Sequence, residues 1–293
     1  MCNFFSAVIT REEILYLLDK DAHENIIGNY NLKDNGDFVR VEYIPKDNDI
    51  FNHNEENWQL KIDQDFIPDW FNHKFEEEQM KKLFFEKIVP ELFLINKNVK
   101  TLKKQRFILN SKIKMLDEGI INILKNSHIK TMTGGIIMHM QGTNSIKTMN
   151  GGEIEDMQGT SSIKTMNGGK IEHMQGTSSI ETMNGGKIKY MQGDSSIEVM
   201  NNGKIEDMQG DSSVETMNDG IIEDMWGDSL IETMNNGKIE HMQGDSSIEV
   251  MNDGRIWYMW EDSSIETMNN GGVEYMQKTN QIKKDNRKIK EEK

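Results

Sequence analysis

The chain has 293 residues, one cysteine and a formal net charge of -15. A single cysteine excludes an intrachain disulfide framework, no apolar run approaches the ~20 residues of a membrane span, and the acidity argues against general phosphate-backbone binding. The charge is uneven: residues 128–279 hold 10 Lys/Arg against 24 Asp/Glu, whereas residues 280–293 reverse the sign with 6 against 3.

The start, Met1-Cys-Asn-Phe-Phe-Ser-Ala, lacks a basic n-region and meets charge by Arg11, so no secretory signal peptide is expected and a cytoplasmic, reducing location is. Residues 1–91 carry no repeat and read as a small α/β domain. Phe4 to Thr10 reads as a strand, Glu12 to Leu18 as helical, and His23 to Tyr30 as a second short helix. Asp37-Phe-Val-Arg-Val-Glu-Tyr-Ile alternates polar and apolar residues and stops at Pro45, the pattern of a half-buried strand. Trp58 to Asp63 is a third strand, and Phe66-Ile-Pro-Asp-Trp-Phe an aromatic turn around Pro68. His73 to Val89 is the clearest helix, with Met80, Leu83, Phe84 and Ile88 on one stripe and Pro90 as its stop.

From here to residue 282 the chain repeats itself. The skeleton is Ile-x-x-Met with alternate gaps: Ile146, Met149, Ile154, Met157, Ile163 and Met166 are 3, 5, 3, 6 and 3 apart. The rhythm reaches back through Ile137/Met140, Ile129/Met132, Ile121/Leu124 and Ile113/Leu116 to a degenerate Val99/Leu102, and forward through Val273/Met276 to Ile282. Eighteen of the 22 methionines occupy the Met slot, so methionine is part of the architecture. A 17-residue unit with two Gly-rich breaks cannot hold a helix pair. Short β segments joined by Gly/Asn/Asp corners fit it, since those residues tolerate left-handed conformations. Two near-copies per unit predict two sides per coil. The expected fold is mainly β: a parallel β-solenoid, β-helix or β-roll-like, of nine to eleven coils over 97–282, followed by a disordered basic tail at 283–293.

In such a stack residues 17 apart form columns. Asn150, Asn167, Asn184, Asn201, Asn218, Asn235, Asn252 and Asn269 make an amide ladder. A second column reads Lys147, Lys164, then Glu181, Glu198, Glu215, Glu232, Glu249 and Glu266. Six carboxylates ~5 Å apart repel one another, and the column Lys170, Lys187, Lys204, Lys238 and Arg255 is expected to supply part of the compensation. The glutamate column reads first as a solvated, edge-protecting face, and second as a stripe for a basic partner or a mimic of nucleic-acid charge. Late in the chain Trp226, Trp257, Tyr258, Trp260 and Tyr275 break the columns, as interaction anchors or as cover for the solenoid end, where a homo-oligomer could form. No cofactor or metal is expected. The calcium nonapeptide pattern G-G-x-G-x-D-x-U-x is not met. His139, His173 and His241 share a column but stand two to four coils apart, too far for a common zinc. The Thr column, interrupted by Val199 and Val250, resembles the flat Thr rows of ice-binding solenoids only superficially.

No P-loop, Rossmann glycine pattern, paired zinc motif or Gly-x-Ser-x-Gly elbow occurs. The one enzymatic alternative is Cys2, which would become an N-terminal thiol on removal of Met1, with His23, His53 or His73 assisting; but Asn3-Phe4 follows it and the domain is small. Met1-Cys-Asn-Phe, Phe38-Val-Arg-Val-Glu and Asp65-Phe-Ile-Pro-Asp-Trp70 resemble the small N-terminal domain of uncharacterised phage and prophage proteins that run into Gly/Asn/Ser-rich repeats. That resemblance implies a protein of a phage or mobile element that binds a host or viral protein, and carries over no catalytic residues. The reading is therefore a non-enzymatic protein-binding scaffold.

Overall fold

The structure, a computed structural model, describes residues 5–20, 22–33, 36–277 and 281–287. The chain divides into two compact units, Met1–Phe93 and Leu94–Lys293.

The first unit is built on an antiparallel sheet of β1 (Phe5–Thr10), β2 (Ile14–Leu15), β3 (Phe38–Pro45) and β4 (Trp58–Ile62), in the order β2-β1-β3-β4. Helix α1 (His23–Asn29) follows β2, and α2 (His73–Leu83) follows β4. The alternation in β3 does what it predicts, burying Val39, Val41 and Tyr43. The expected helix over Glu12–Leu18 is instead a hairpin: Ile9 pairs with Ile14 and Val8 with Leu15. The Thr10 hydroxyl is the cause, since it accepts from the amides of Glu12 and Glu13 and draws the chain into a turn. A seven-residue helix would also have had to bear a costly nucleus.

Met80, Phe84 and Ile88 form the buried stripe of α2 and its continuation, while Leu83 is only half-buried. Phe84 is the hub, with its ring centroid 4.4 Å from Trp58, 5.2 Å from Tyr43 and 5.8 Å from Phe5. Pro90 does not end the helix. A π turn at Phe84–Ile88 resets the ladder, and a further helical turn, α3 (Val89–Leu92), carries Pro90 in its first residues, where the missing N–H is not needed.

The second unit is a parallel β-solenoid of about 11 turns with ~17 residues per coil. Successive strands alternate between two 12-stranded sheets. The glutamate sheet runs from Asn98–Val99 to Gln281–Asp285, and the aromatic sheet from Phe93–Ile95 to Gly272–Met276. The stack begins earlier than residue 97, for Leu94 is already in its core. It also takes in part of the expected tail: Lys284 and Asp285 pair with the preceding coil. Residues 288–293 of that tail lie outside the described residues.

Ladder partners are 17 residues apart through the regular coils, Ile on Ile and Met on Met. They are the first, second, fourth and fifth residues of each five-residue strand; the third is skipped. A bend there turns the third and fourth residues outward together, which is why buried positions are three apart instead of two. From Ile129/Met132 to Ile265/Met268, Ile or Val at the second position and Met at the fifth are fully buried from coil to coil. Each buried aliphatic contributes about 1.5–3 kcal/mol against solvent exposure.

One corner explains why the hydrophobe of the glutamate sheet is methionine. Gly186 has φ +95°, and a Cβ there would lie 2.7 Å from the Met166 methyl and 2.9 Å from the Gly169 carbonyl oxygen. From Met132 to Met251, each Met at the fifth strand position of the glutamate sheet reaches forward 20 residues to cover a glycine of the next coil, a span that suits an unbranched, flexible side chain. Outside the same corner the Asn ladder is continuous. Each Nδ2 donates to the Oδ1 one coil earlier at 2.8 or 2.9 Å, from Asn286 back to Asn150. The opposite corner, Gln-Gly-Thr-Ser in two coils and Gln-Gly-Asp-Ser in three, ends in a fully buried serine such as Ser195, whose hydroxyl donates to the Met174 carbonyl at 3.4 Å.

Candidate surfaces on the two sheets

The alternation of strands places the sequence's two candidate groups on different sheets. Glu181, Glu198, Glu215, Glu232, Glu249 and Glu266 are third residues of successive strands on the glutamate sheet. The row is continuous backwards with Lys164, Lys147, Lys130 and Lys114, all exposed, and forwards with Lys283. Charges of opposite sign meet at its two junctions, where Lys164 binds Glu181 at 2.9 Å and Lys283 binds Glu266. Between them Glu198, Glu215, Glu232 and Glu249 have only carboxylates above and below in the row.

The lysine column expected to compensate this row belongs to the aromatic sheet. It neutralises that sheet's own carboxylates: Lys170 binds Glu153 at 2.8 Å and Glu172 at 2.5 Å, Lys187 binds Glu206 at 2.5 Å, and Lys204 binds Glu223 at 2.6 Å. Consecutive half-repeats face opposite ways, so these lysines are separated from the glutamate row by the Ile/Met core. The tightest of the networks centres on Glu172, which also accepts from Lys189 at 2.5 Å. The two ammonium groups hold its carboxyl down at about 2, from an ordinary 4.5. A lowered folded-state value means stability that is full above about pH 4.5 and lost as pH falls towards 2. Glu172 remains 21% exposed, so solvent screening keeps the network in the range of surface pairs. Glu172→Gln is expected to lower the thermal midpoint by about 1–3 °C at pH 7 and to leave it unchanged at pH 2, as read by circular dichroism melts.

The aromatic sheet concentrates its rings in the last coils. His241, Tyr258 and Tyr275 occupy one column and stack, with centroids 5.4 Å and 5.1 Å apart and interplanar angles of 21° and 12°. Trp260 lies against both His241 and Tyr258, 5.4 Å from each. Asp224 fixes the near end of the stack through His241 Nδ1 at 2.8 Å. Trp257, next to Tyr258 at the strand bend, is 46% exposed, and Tyr275 is 63% exposed. Trp226 stands apart, its indole donating to Asp207. Burial, and then the neighbouring Asp224 charge, raises the Asp207 carboxyl above the ordinary carboxylate value. Of the five aromatic candidates, the fold therefore stacks Tyr258, Trp260 and Tyr275 together, leaves Trp257 beside them and sets Trp226 elsewhere. The member that sequence reasoning missed is His241. Its spacing of 17 from Tyr258 was the available signal.

Backbone strain marks the same place. The corner residue that is Gly142, Gly159 and Gly176 in earlier coils is Glu261 beside Trp260, and it keeps the left-handed conformation at φ 56°. A non-glycine residue there costs about 1–2 kcal/mol. Glu261 offsets part of this by accepting from the Gly244 amide at 2.9 Å and donating to Gln277 at 3.1 Å.

The other histidines of the solenoid column have local partners. His139 Nδ1 binds Asp156 at 2.8 Å, and His173 stacks on Tyr190. Among the described residues no group of three or more His, Cys, Asp or Glu could hold a metal ion. Cys2 lies outside the described residues. The three histidines named with it are dispersed through the first unit: His23 Nε2 faces the Val41 carbonyl at 3.0 Å, His73 Nε2 faces the Leu60 carbonyl at 3.2 Å, and His53 packs against Phe93 and Phe85. Burial lowers the pKa of His53 and favours its neutral form. No protein-family model, no curated protein and no solved structure matches the chain.

Proposed function

We propose that the protein is a non-enzymatic scaffold whose solenoid presents the aromatic platform of its last coils to another protein. The observation that carries this reading is the stacked His241–Tyr258–Tyr275 column with Trp260 and the exposed Trp257 beside it. The Ile/Met interior needs none of these rings, and one of them sits beside a strained corner. Large exposed aromatics ringed by carboxylates suit a basic partner surface, because arginine and lysine can pair with the acids and lie over the rings. The resemblance of the N-terminal segments to phage and prophage proteins puts host and viral proteins first among partners to test. The mimicry of nucleic-acid charge by the glutamate row has less support, because that row continues into four lysines.

The test is affinity capture with the full chain, followed by measurement of the purified pair. Trp257→Ala with Trp260→Ala should weaken binding by at least tenfold, since central aromatic anchors contribute about 2 kcal/mol or more each. Glu198→Lys, on the other sheet, should leave binding within about twofold. Equal affinity of the double tryptophan variant and the wild type would overturn the proposal.

A further inference from the structure

The glutamate sheet carries a second, independent surface. Its outward row reads Lys114, Lys130, Lys147, Lys164, Glu181, Glu198, Glu215, Glu232 in consecutive coils: four exposed cations followed by four exposed anions. Small side chains flank it for most of its length, Ser at the first strand position and Thr at the fourth, with Val199 in the threonine column. A groove of about 510 Å³ runs beside the row along Ser162, Ser179 and Ser196 and spans the Lys164/Glu181 junction.

From this we infer that the glutamate sheet is a dimerisation surface, and that its occupant is a second copy of the chain laid antiparallel on it. Charge order selects the geometry. A two-fold axis parallel to the solenoid axis would set lysine on lysine and glutamate on glutamate. A two-fold lying in the interface across the row, between Lys164 and Glu181, sets Lys164 opposite the partner's Glu181, Lys147 opposite the partner's Glu198, Lys130 opposite the partner's Glu215, and Lys114 opposite the partner's Glu232. The symmetry repeats each pair, as an isologous interface must. It also lays serine column on serine column and threonine on threonine, so the small residues let the sheets approach while the long charged chains enter the two grooves.

Within one chain, like charges ~4.8 Å apart repel by about 1 kcal/mol per neighbouring pair even at the dielectric of water. The antiparallel partner supplies the opposite charge to every rung of both halves. Eight coils at ~4.8 Å by five residues at ~3.3 Å give roughly 600 Å² per copy, or about 1,200 Å² in all, the lower edge of stable interfaces. A micromolar, salt-sensitive dimer is the expected result.

Sedimentation equilibrium of the full chain tests this, with circular dichroism confirming that each variant keeps the fold. The wild type should be a dimer at about 20 mM salt and at least tenfold weaker at about 500 mM, where screening is several times shorter. The variant Glu198→Lys/Glu215→Lys/Glu232→Lys has a nearly all-positive row, and Lys114→Glu/Lys130→Glu/Lys147→Glu a nearly all-negative one in which, of these rungs, Lys164 alone stays positive. Each alone should be monomeric, and an equimolar mixture should recover a 1:1 heterodimer. If either variant loses its fold, the glutamine versions at the same positions replace it, and both should dimerise at least tenfold more weakly than the wild type. A wild type that stays monomeric at low salt and high concentration, a dimer that both variants retain, or folded reversal variants that do not pair with each other would each overturn the inference. Retention of the dimer in both variants would place the contact elsewhere, at the solenoid end or on the aromatic sheet. The aromatic-platform reading does not depend on these outcomes, since Trp257 and Trp260 lie on the other sheet.

Discussion

Gly186→Ala destabilises the protein by about 2–5 kcal/mol through the single methyl group it adds to the solenoid. Two costs combine. Gly186 sits at φ +95°, and an L-residue in the left-handed region loses about 1–2 kcal/mol. The new Cβ also meets the Met166 methyl at 2.7 Å and the Gly169 carbonyl oxygen at 2.9 Å. The methionine can swing aside, but the carbonyl belongs to the backbone of the coil below, and overpacking of this kind costs about 1–3 kcal/mol. Gly119→Ala separates the two. Gly119 has φ +89° with nothing within 4 Å of the added carbon, so it should show the conformational cost alone. Urea unfolding of both variants measures the difference. Equal losses would mean that the Met-over-Gly contact does not hold the coils together. Because each coil contacts only its neighbours, a break at Gly186 should also uncouple the two halves of the stack, seen as loss of cooperativity in hydrogen exchange.

The second large effect separates whole coils from half coils. Deleting residues 196–212 removes one complete 17-residue unit and joins Ser195 to Ser213, so every column continues across the junction. The shortened protein should fold with an unfolding m-value reduced by about one coil in eleven. Deleting Asn201 to Met208 removes only eight residues but moves a Ser-led strand onto the aromatic sheet. The buried Ile and Met slots would still match, since both half-repeats bury the same pair. The corners would not. Met200 is followed by a three-residue corner before Lys204, and Met208 by a four-residue corner before Ser213. Their left-handed glycines, Gly203 and Gly210, stand at different places within them. The half-coil deletion would set one corner type on the other, interrupt the amide ladder between Asn184 and Asn218, and bury polar atoms without partners. It should yield insoluble or only partly folded protein under conditions where the whole-coil deletion is soluble and gives a sharp melt. Equal behaviour of the two deletions would show that core patterning alone specifies the stack.

The contrast locates what holds the solenoid in register. The Ile/Met interior is the same in both half-repeats and supplies apolar burial without direction. Direction comes from the corners, from the asparagine ladder and from the glycine that each methionine covers. The aromatic platform and the charge row are then laid over a frame that requires neither, so substitutions there should change association without changing the melt by more than a degree or two.

How much of this was legible beforehand follows from range. The 17-residue period, the two strands per coil, the parallel stacking, the buried Ile and Met and the asparagine ladder all follow from residue spacing, because in a solenoid each long-range contact repeats at one fixed offset. Within the first unit, local alternation identified β3 and β4. The same kind of reading failed at Glu12–Leu18, where one hydroxyl, Thr10, outcompeted helical periodicity. It failed again at Pro90, where a π turn upstream made room for the ring.

The sequence by itself therefore determined the coil, its core and its columns, since those depend only on which residues recur and how far apart. Only the tertiary structure decided which column faces which way. A bend at the third strand residue, absent from any period-two rule, turned two successive side chains outward. Alternation between the sheets then separated Lys170 and its column from the glutamates they were expected to balance, and the corner after Met259 brought Trp260 against His241 and Tyr258. The physical reason is that a spacing of 17 records who is stacked on whom, whereas the side of the core on which a stack lies depends on the corner geometry between strands.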